Sequence, residues 1–127
     1  MRLSTFISKA KLDVVNAILE GNIKDLLKLY VTQPTVFQEK RDGLTPLQFA
    51  ATRPDNLAVI EFLIAAGASV DAQTNTGDTA LHLAAQCNNK KAIKLLLAHG
   101  ADASIKNKSG KIALEQSNIP FDYLLES

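Results

Sequence analysis

The chain has 127 residues, with fourteen Lys and Arg against thirteen Asp and Glu and a hydrophobic fraction of 46%. That length suits one domain whose core needs no metal or disulfide staple, and a net charge of +1 gives no global pull toward nucleic acid or membrane. Cys87 is the only cysteine, so an intrachain disulfide is excluded, and no apolar run approaches the roughly 20 residues of a spanning helix.

Met1 to Lys11 carries Arg2, Lys9, Lys11, Ser4, Thr5 and Ser8 with no acid before Asp13, a composition loosely like a mitochondrial presequence. The spacing argues for a structural helix instead. Leu3, Phe6, Ile7, Ala10, Val14, Ala17 and Ile18 recur three and four residues apart, and Ser4, Thr5 or Ser8 can cap its start. Gly21 is expected to stop this helix in the left-handed region, and a second helix is predicted over 23–31, ending at Gln33-Pro34.

Further along, Thr45 suits a helix N-cap and Pro46 the first helical position, where its missing N–H was unpaired anyway. The loop from Thr52 to Asn56 separates this helix from a partner that Ala66-Gly67-Ala68 closes. Thr79 begins a third pair, with Asn88 at its turn and His99-Gly100 at its end; asparagine tolerates the left-handed conformation. The last unit decays. Ile112 replaces the capping threonine, and Pro120, Phe121, Leu124 and Leu125 are expected to form a shortened lid.

Two hydrophobic combs define the units independently. The inner-helix comb is Val14-Ala17-Ile18, Leu47-Ala50-Ala51, Leu81-Ala84-Ala85 and Leu114-Ser117-Asn118, in steps of 33, 34 and 33 residues. The outer-helix comb is Leu26-Leu29-Tyr30, Ile60-Leu63-Ile64, Ile93-Leu96-Leu97 and Phe121-Leu124-Leu125, in steps of 34, 33 and 28. Each triplet lies on one face of a helix, and self-similarity at this period means stacked units that bury their faces against one another.

The segments Asp42-Gly43-Leu44-Thr45-Pro46-Leu47-Gln48-Phe49-Ala50-Ala51 and Thr76-Gly77-Asp78-Thr79-Ala80-Leu81-His82-Leu83-Ala84-Ala85 resemble the ankyrin repeat, with its Thr-Pro-Leu-His-x-Ala signature. The resemblance implies an all-α repeat solenoid of about four stacked helix-turn-helix pairs linked by β-hairpin-like loops. The expected units are a divergent N-terminal repeat over 1–40, repeats over 41–73 and 74–107, and a C-terminal cap over 108–127. The loops between units lead to polar tips, or fingers, over 39–42, 73–76 and 106–109, which fit solvent exposure.

No residue group argues for catalysis. His82 lies in the signature itself, where the resemblance implies a bond to the adjacent loop's backbone, and Gln48 can do the same in the preceding unit. Cys87 lies five residues after His82, on a different helix face, and no third ligand stands at metal spacing. His99 at a helix end suits the helix dipole. Phosphate-loop, dinucleotide, nucleophile-elbow and zinc-protease motifs are absent. No cofactor and no enzymatic activity are expected.

The resemblance therefore implies a scaffold that binds a protein partner through its loop tips and concave inner-helix face. Carried over, the contact positions are Arg41, Asp42, Leu44, Thr52, Arg53, Asn75, Thr76, Asp78, Gln86, Cys87, Lys108, Ser109 and Lys111, with Leu44 as the apolar anchor. These positions are expected to be exposed. A monomer in the cytosol is expected, with the nucleus and secretion as an effector left open. One alternative is a targeting module of a larger enzyme or effector. The other is an anionic-ligand or nucleic-acid site on Lys106, Lys108 and Lys111; its plainer counterpart has these lysines and Lys90, Lys91 and Lys94 as two separate solvated groups. No aromatic is interleaved with these lysines, which leaves bases no stacking platform.

Overall fold

A computed structural model describes residues 14, 16–33, 43–54 and 56–116. Six α-helices run through them in three consecutive pairs. The first, α1, is helical at residue 14 and over 16–20. The others are α2 (Ile23–Thr32), α3 (Pro46–Ala51), α4 (Leu57–Ala65), α5 (Ala80–Gln86) and α6 (Lys90–Ala98), followed by a 3-10 turn at Ala113–Gln116. Among the described residues there is no β-strand, only a single backbone bridge residue at Leu44.

The short inner helices start where threonine can cap them. Thr45 Oγ1 accepts from the Gln48 N–H, and the Gln48 side chain accepts from the Thr45 N–H in return. Thr79 and His82 repeat that reciprocal box at the start of α5. Each box satisfies two amide donors that a helix start would otherwise leave open. The turns behave as expected too. Gly21 ends α1 at φ +64°, and Asn88, at φ +53°, is the only described non-glycine residue with positive φ. By contrast, Gln33 ends α2 at φ −145° with its N–H on Leu29 O, outside the left-handed region.

Packing follows the two combs. α3 lies between α4 and α5, and α5 touches α3, α6 and the 3-10 turn; the outer helices meet as α2 on α4 and α4 on α6. The core holds Val14, Ala17, Ile18, Leu47, Ala50, Ala51, Leu81, Ala84 and Ala85 from the inner comb. The alanines have a physical role: small side chains let adjacent inner helices approach closely. The outer comb contributes Leu26, Ile60, Leu63, Ile93 and Leu96.

The combs are less regular at the ends of the stack. In α2 only Leu26 is fully buried; Leu29 is half-buried, and Tyr30 is exposed but sets its ring edge-on to Phe62, centroids 6.4 Å apart. In the last unit Ala113, not Leu114, is fully buried. The expected caps at Ser4, Thr5 and Ser8, the finger tip over 39–42, and Ser117, Asn118, Pro120, Phe121, Leu124 and Leu125 lie outside the described residues.

Candidate protein-binding surface

The second and third fingers are built alike. Thr74 N–H donates to Asp78 O at 2.8 Å and Gly77 N–H to Thr74 O at 2.9 Å. In the next finger Asn107 N–H donates to Lys111 O at 3.0 Å and Gly110 N–H to Asn107 O at 2.9 Å. Backbone and side chains then tie the two together. Lys108 N–H donates to Thr76 O at 2.9 Å, and Asn107 Nδ2 donates to Asp78 Oδ1 at 2.9 Å. Thr76 Oγ1 donates to the other carboxylate oxygen of Asp78 at 2.8 Å.

This close approach explains one glycine. Gly77 has φ +81°, and a Cβ added there would lie 2.9 Å from Lys108 N and 3.1 Å from Asn107 Cα. Gly110 has a similar φ of +79° with nothing within 4 Å of an added Cβ. Both substitutions to alanine therefore incur the same left-handed strain, about 1 kcal/mol, and only Gly77→Ala must also part the fingers. Urea denaturation should show Gly77→Ala at least about 1 kcal/mol less stable than Gly110→Ala.

Histidine in α5 joins finger to helix. His82 is 1% exposed; its Nδ1 accepts from Thr79 N–H at 3.1 Å, which leaves Nε2–H to donate to Lys111 O at 2.9 Å. Both ring nitrogens are thus used by the fold, with the loop bond as the resemblance implies, and the Thr79 hydroxyl 2.9 Å from Nδ1 is itself the helix cap. Gln48 mirrors the cap but sends Nε2 to Ala72 O at 2.8 Å, a carbonyl at a different point of its finger. Because glutamine already fills this role once, His82→Gln should lose under about 1 kcal/mol of stability. His82→Ala, which leaves the buried Thr79 amide unpaired and removes one of the two donors to Lys111 O, should lose about 2–3 kcal/mol in the same denaturation assay.

The sequence-predicted contact positions separate into two classes. Arg53, Asn75, Thr76, Gln86, Cys87, Lys108, Ser109 and Lys111 are exposed. Asn75 lies beside Gly43, where an added Cβ would meet its Nδ2 at 3.1 Å. Gln86 Nε2 donates to Gln116 Oε1 at 3.2 Å across the last two units. Three positions differ from the expected exposure. Asp78 is buried, at 9% exposure, because it is the carboxylate that bridges the fingers. Leu44 is half-buried within the bridge, and Thr52 is half-buried with its hydroxyl donating to Phe49 O at 2.7 Å. Arg41 and Asp42 lie outside the described residues.

Sequence reasoning overlooked an asparagine series at Asn22, Asn56 and Asn89, spaced 34 and 33 residues apart. Asn22 caps α2, accepting from Asp25 N–H. Asn56 instead sends Nδ2 back to Ile18 O at 2.8 Å. Asn89 does both: Oδ1 accepts from Ala92 N–H, and Nδ2 donates to Ala51 O at 3.2 Å and Arg53 O at 3.0 Å. The repeat period was the signal that could have found them.

The Asp102 carboxyl is perturbed. Ser104 donates its hydroxyl and its backbone N–H to Asp102, which holds that exposed carboxyl below its usual range. The bonds ordering this turn therefore persist above the usual aspartate range and are lost as pH falls through the lowered value. No group of three or more His, Cys, Asp or Glu among the described residues converges as a metal site would require. No described helix is long and apolar enough to cross a membrane.

A family profile described as ankyrin repeats, in three copies, matches residues 9–107. The chain belongs to the ankyrin-repeat family. Among its relatives, BRCA1-associated RING domain protein 1 of Caenorhabditis elegans is 34% identical over 105 residues, 82% of this chain. Putative ankyrin repeat protein FPV031 of Fowlpox virus is 40% identical over 85 residues, and human SH3 and multiple ankyrin repeat domains protein 2 is 39% identical over 83, each covering 65% of this chain. The matched regions are 15%, 25% and 4% of those three proteins. As a class, ankyrin repeats mediate protein–protein interaction.

Proposed function

We propose that this ankyrin stack is a non-catalytic scaffold that binds a protein partner through its finger tips and inner-helix ends. One observation carries the reading: the fold consumes its buried polar groups and leaves a separate set of polar side chains exposed. Gln48, Asp78, Thr79, His82 and Asn89 are the buried polar residues among those described, and each is hydrogen-bonded within the stack. Arg53, Asn75, Gln86, Cys87, Lys108, Ser109 and Lys111 instead display side chains on elements held rigid by those bonds. Rigid presentation lowers the ordering cost of association, and side chains outside the core vary without disturbing it. Leu44 contributes the part of its surface that remains outside the bridge, and Arg41, Asp42, Thr52 and Thr76 complete the contact set. The protein acts as a monomer in a reducing compartment such as the cytosol, where an exposed Cys87 thiol persists.

Affinity capture from lysate with mass spectrometry tests this reading, comparing the wild type with Arg53→Ala, Asn75→Ala, Gln86→Ala combined. All three side chains are exposed, so circular dichroism should be unchanged. A partner recovered by the wild type should be lost by the variant. Equal recovery of every captured protein by both would overturn the assigned face.

A further inference from the structure

We propose that the finger over residues 106–111 docks a carboxylate-rich segment of a protein partner, with Lys106, Lys108 and Lys111 as three point charges on a prearranged backbone. This deepens the protein-binding reading and rests on it. All three lysines are exposed, and none makes an ion pair among the described residues. Their backbone is fixed. Asn107 Oδ1 accepts from the N–H groups of Ser109 and Lys111 at 3.0 and 3.1 Å, inside a turn already closed by two backbone bonds and anchored to Thr76 O.

Charge is segregated along the chain. Residues 54–89 hold Asp55, Glu61, Asp71 and Asp78 with no Lys or Arg, whereas residues 90–111 hold six lysines and Asp102 alone. The nearby carboxylates do not neutralise the finger by direct contact. Asp78 spends both oxygens on Asn107 and Thr76, Asp102 turns onto Ser104, and Asp71 Oδ1 accepts from the Asp102 N–H. Three unpaired ammonium groups carried on one six-residue finger repel, and an incoming set of carboxylates relieves that repulsion.

A protein segment fits better than a nucleic acid. Residues 86–116 contain no Phe, Tyr or Trp on which a base could stack, and no arginine whose fork could grip a phosphate on two oxygens. Lysine supplies compact single charges, which match carboxylates spaced along a peptide.

Fluorescence anisotropy of labelled decaglutamate at low ionic strength, titrated with the full chain, tests the proposal. The finger triple Lys106→Gln, Lys108→Gln, Lys111→Gln should bind about tenfold more weakly, since each exposed pair contributes modestly. The charge-matched triple Lys24→Gln, Lys28→Gln, Lys91→Gln, also at exposed positions, should bind like the wild type. Binding should weaken as salt is added. Absence of decaglutamate binding, or equal loss in both triples, overturns the docking surface. Tighter binding of a single-stranded oligonucleotide of matched charge overturns the choice of a protein segment. In affinity capture, a partner kept by the finger triple but lost by the Arg53, Asn75 and Gln86 variant would overturn this inference and leave the scaffold reading standing.

Discussion

Replacing Leu81 by alanine should destabilise the protein by about 2–5 kcal/mol, the range for emptying a packed leucine site. Leu81 is 1% exposed in α5, the helix that touches α3, α6 and the final 3-10 turn. A void there removes contacts on several sides, and short helices of six and seven residues pinned by caps cannot easily collapse into it. Leu83 supplies the control. It lies on the same helix but is half-buried and outside the core cluster, so Leu83→Ala makes the same change in helix propensity without opening the core. Urea titration followed at 222 nm should give Leu83→Ala less than half the loss of Leu81→Ala. Equal losses would mean that the inner comb does not govern the stack.

The second large effect is expected at Asn89. Asn89→Ala removes the α6 cap and both donors to the preceding pair, a combined loss of about 2–4 kcal/mol. Asn89→Asp separates the two roles. A carboxylate keeps the acceptor for Ala92 N–H but turns a lone pair toward Ala51 O and Arg53 O at a site only 7% exposed. It should therefore be at least as damaging as alanine at neutral pH. Burial disfavours the charged carboxyl, and protonation restores one donor, so the deficit relative to wild type should shrink as pH falls. A stable Asn89→Asp protein at pH 7 would show that the inter-pair bonds contribute little. Hydrogen exchange adds a spatial readout: both variants should expose the amides of α6 and the 3-10 turn more than those of α1 and α2, because stability in a stacked array is local to each junction.

Much of this was legible because a repeat writes the same physical solution several times. A threonine marks the start of α3 and of α5, and the structure adds to each cap a reach-back by Gln48 or His82 that completes a capping box. The half-turn logic of His82 was likewise readable, since Gln48 offers the same donor and acceptor at the equivalent place. Asparagine at 88 in the left-handed region followed from its standing where glycine would. The asparagines at 22, 56 and 89 were equally periodic but passed unnoticed, because a polar residue at a turn already has an ordinary explanation in capping.

What the sequence determined by itself was everything local or periodic: helix starts and stops, which helix face is apolar, and the family that spaces them so. Those depend on residues within one or two turns, or on identity repeated at a fixed interval. Beyond His82 and Gln48, only the tertiary structure decided which polar side chains cross between units. Asp78 follows a glycine, where the pattern puts an exposed contact, yet it is buried because Asn107, 29 residues away, donates to it. Gly77 and Gly110 occupy the same conformation, and only the proximity of Lys108 separates them. Leu44 reads as exposed on a polar rim, yet it is half-buried. For Asp78 and Gly77 the deciding partner lies on the neighbouring finger, and its distance is set by how the stack closes, which no local pattern encodes.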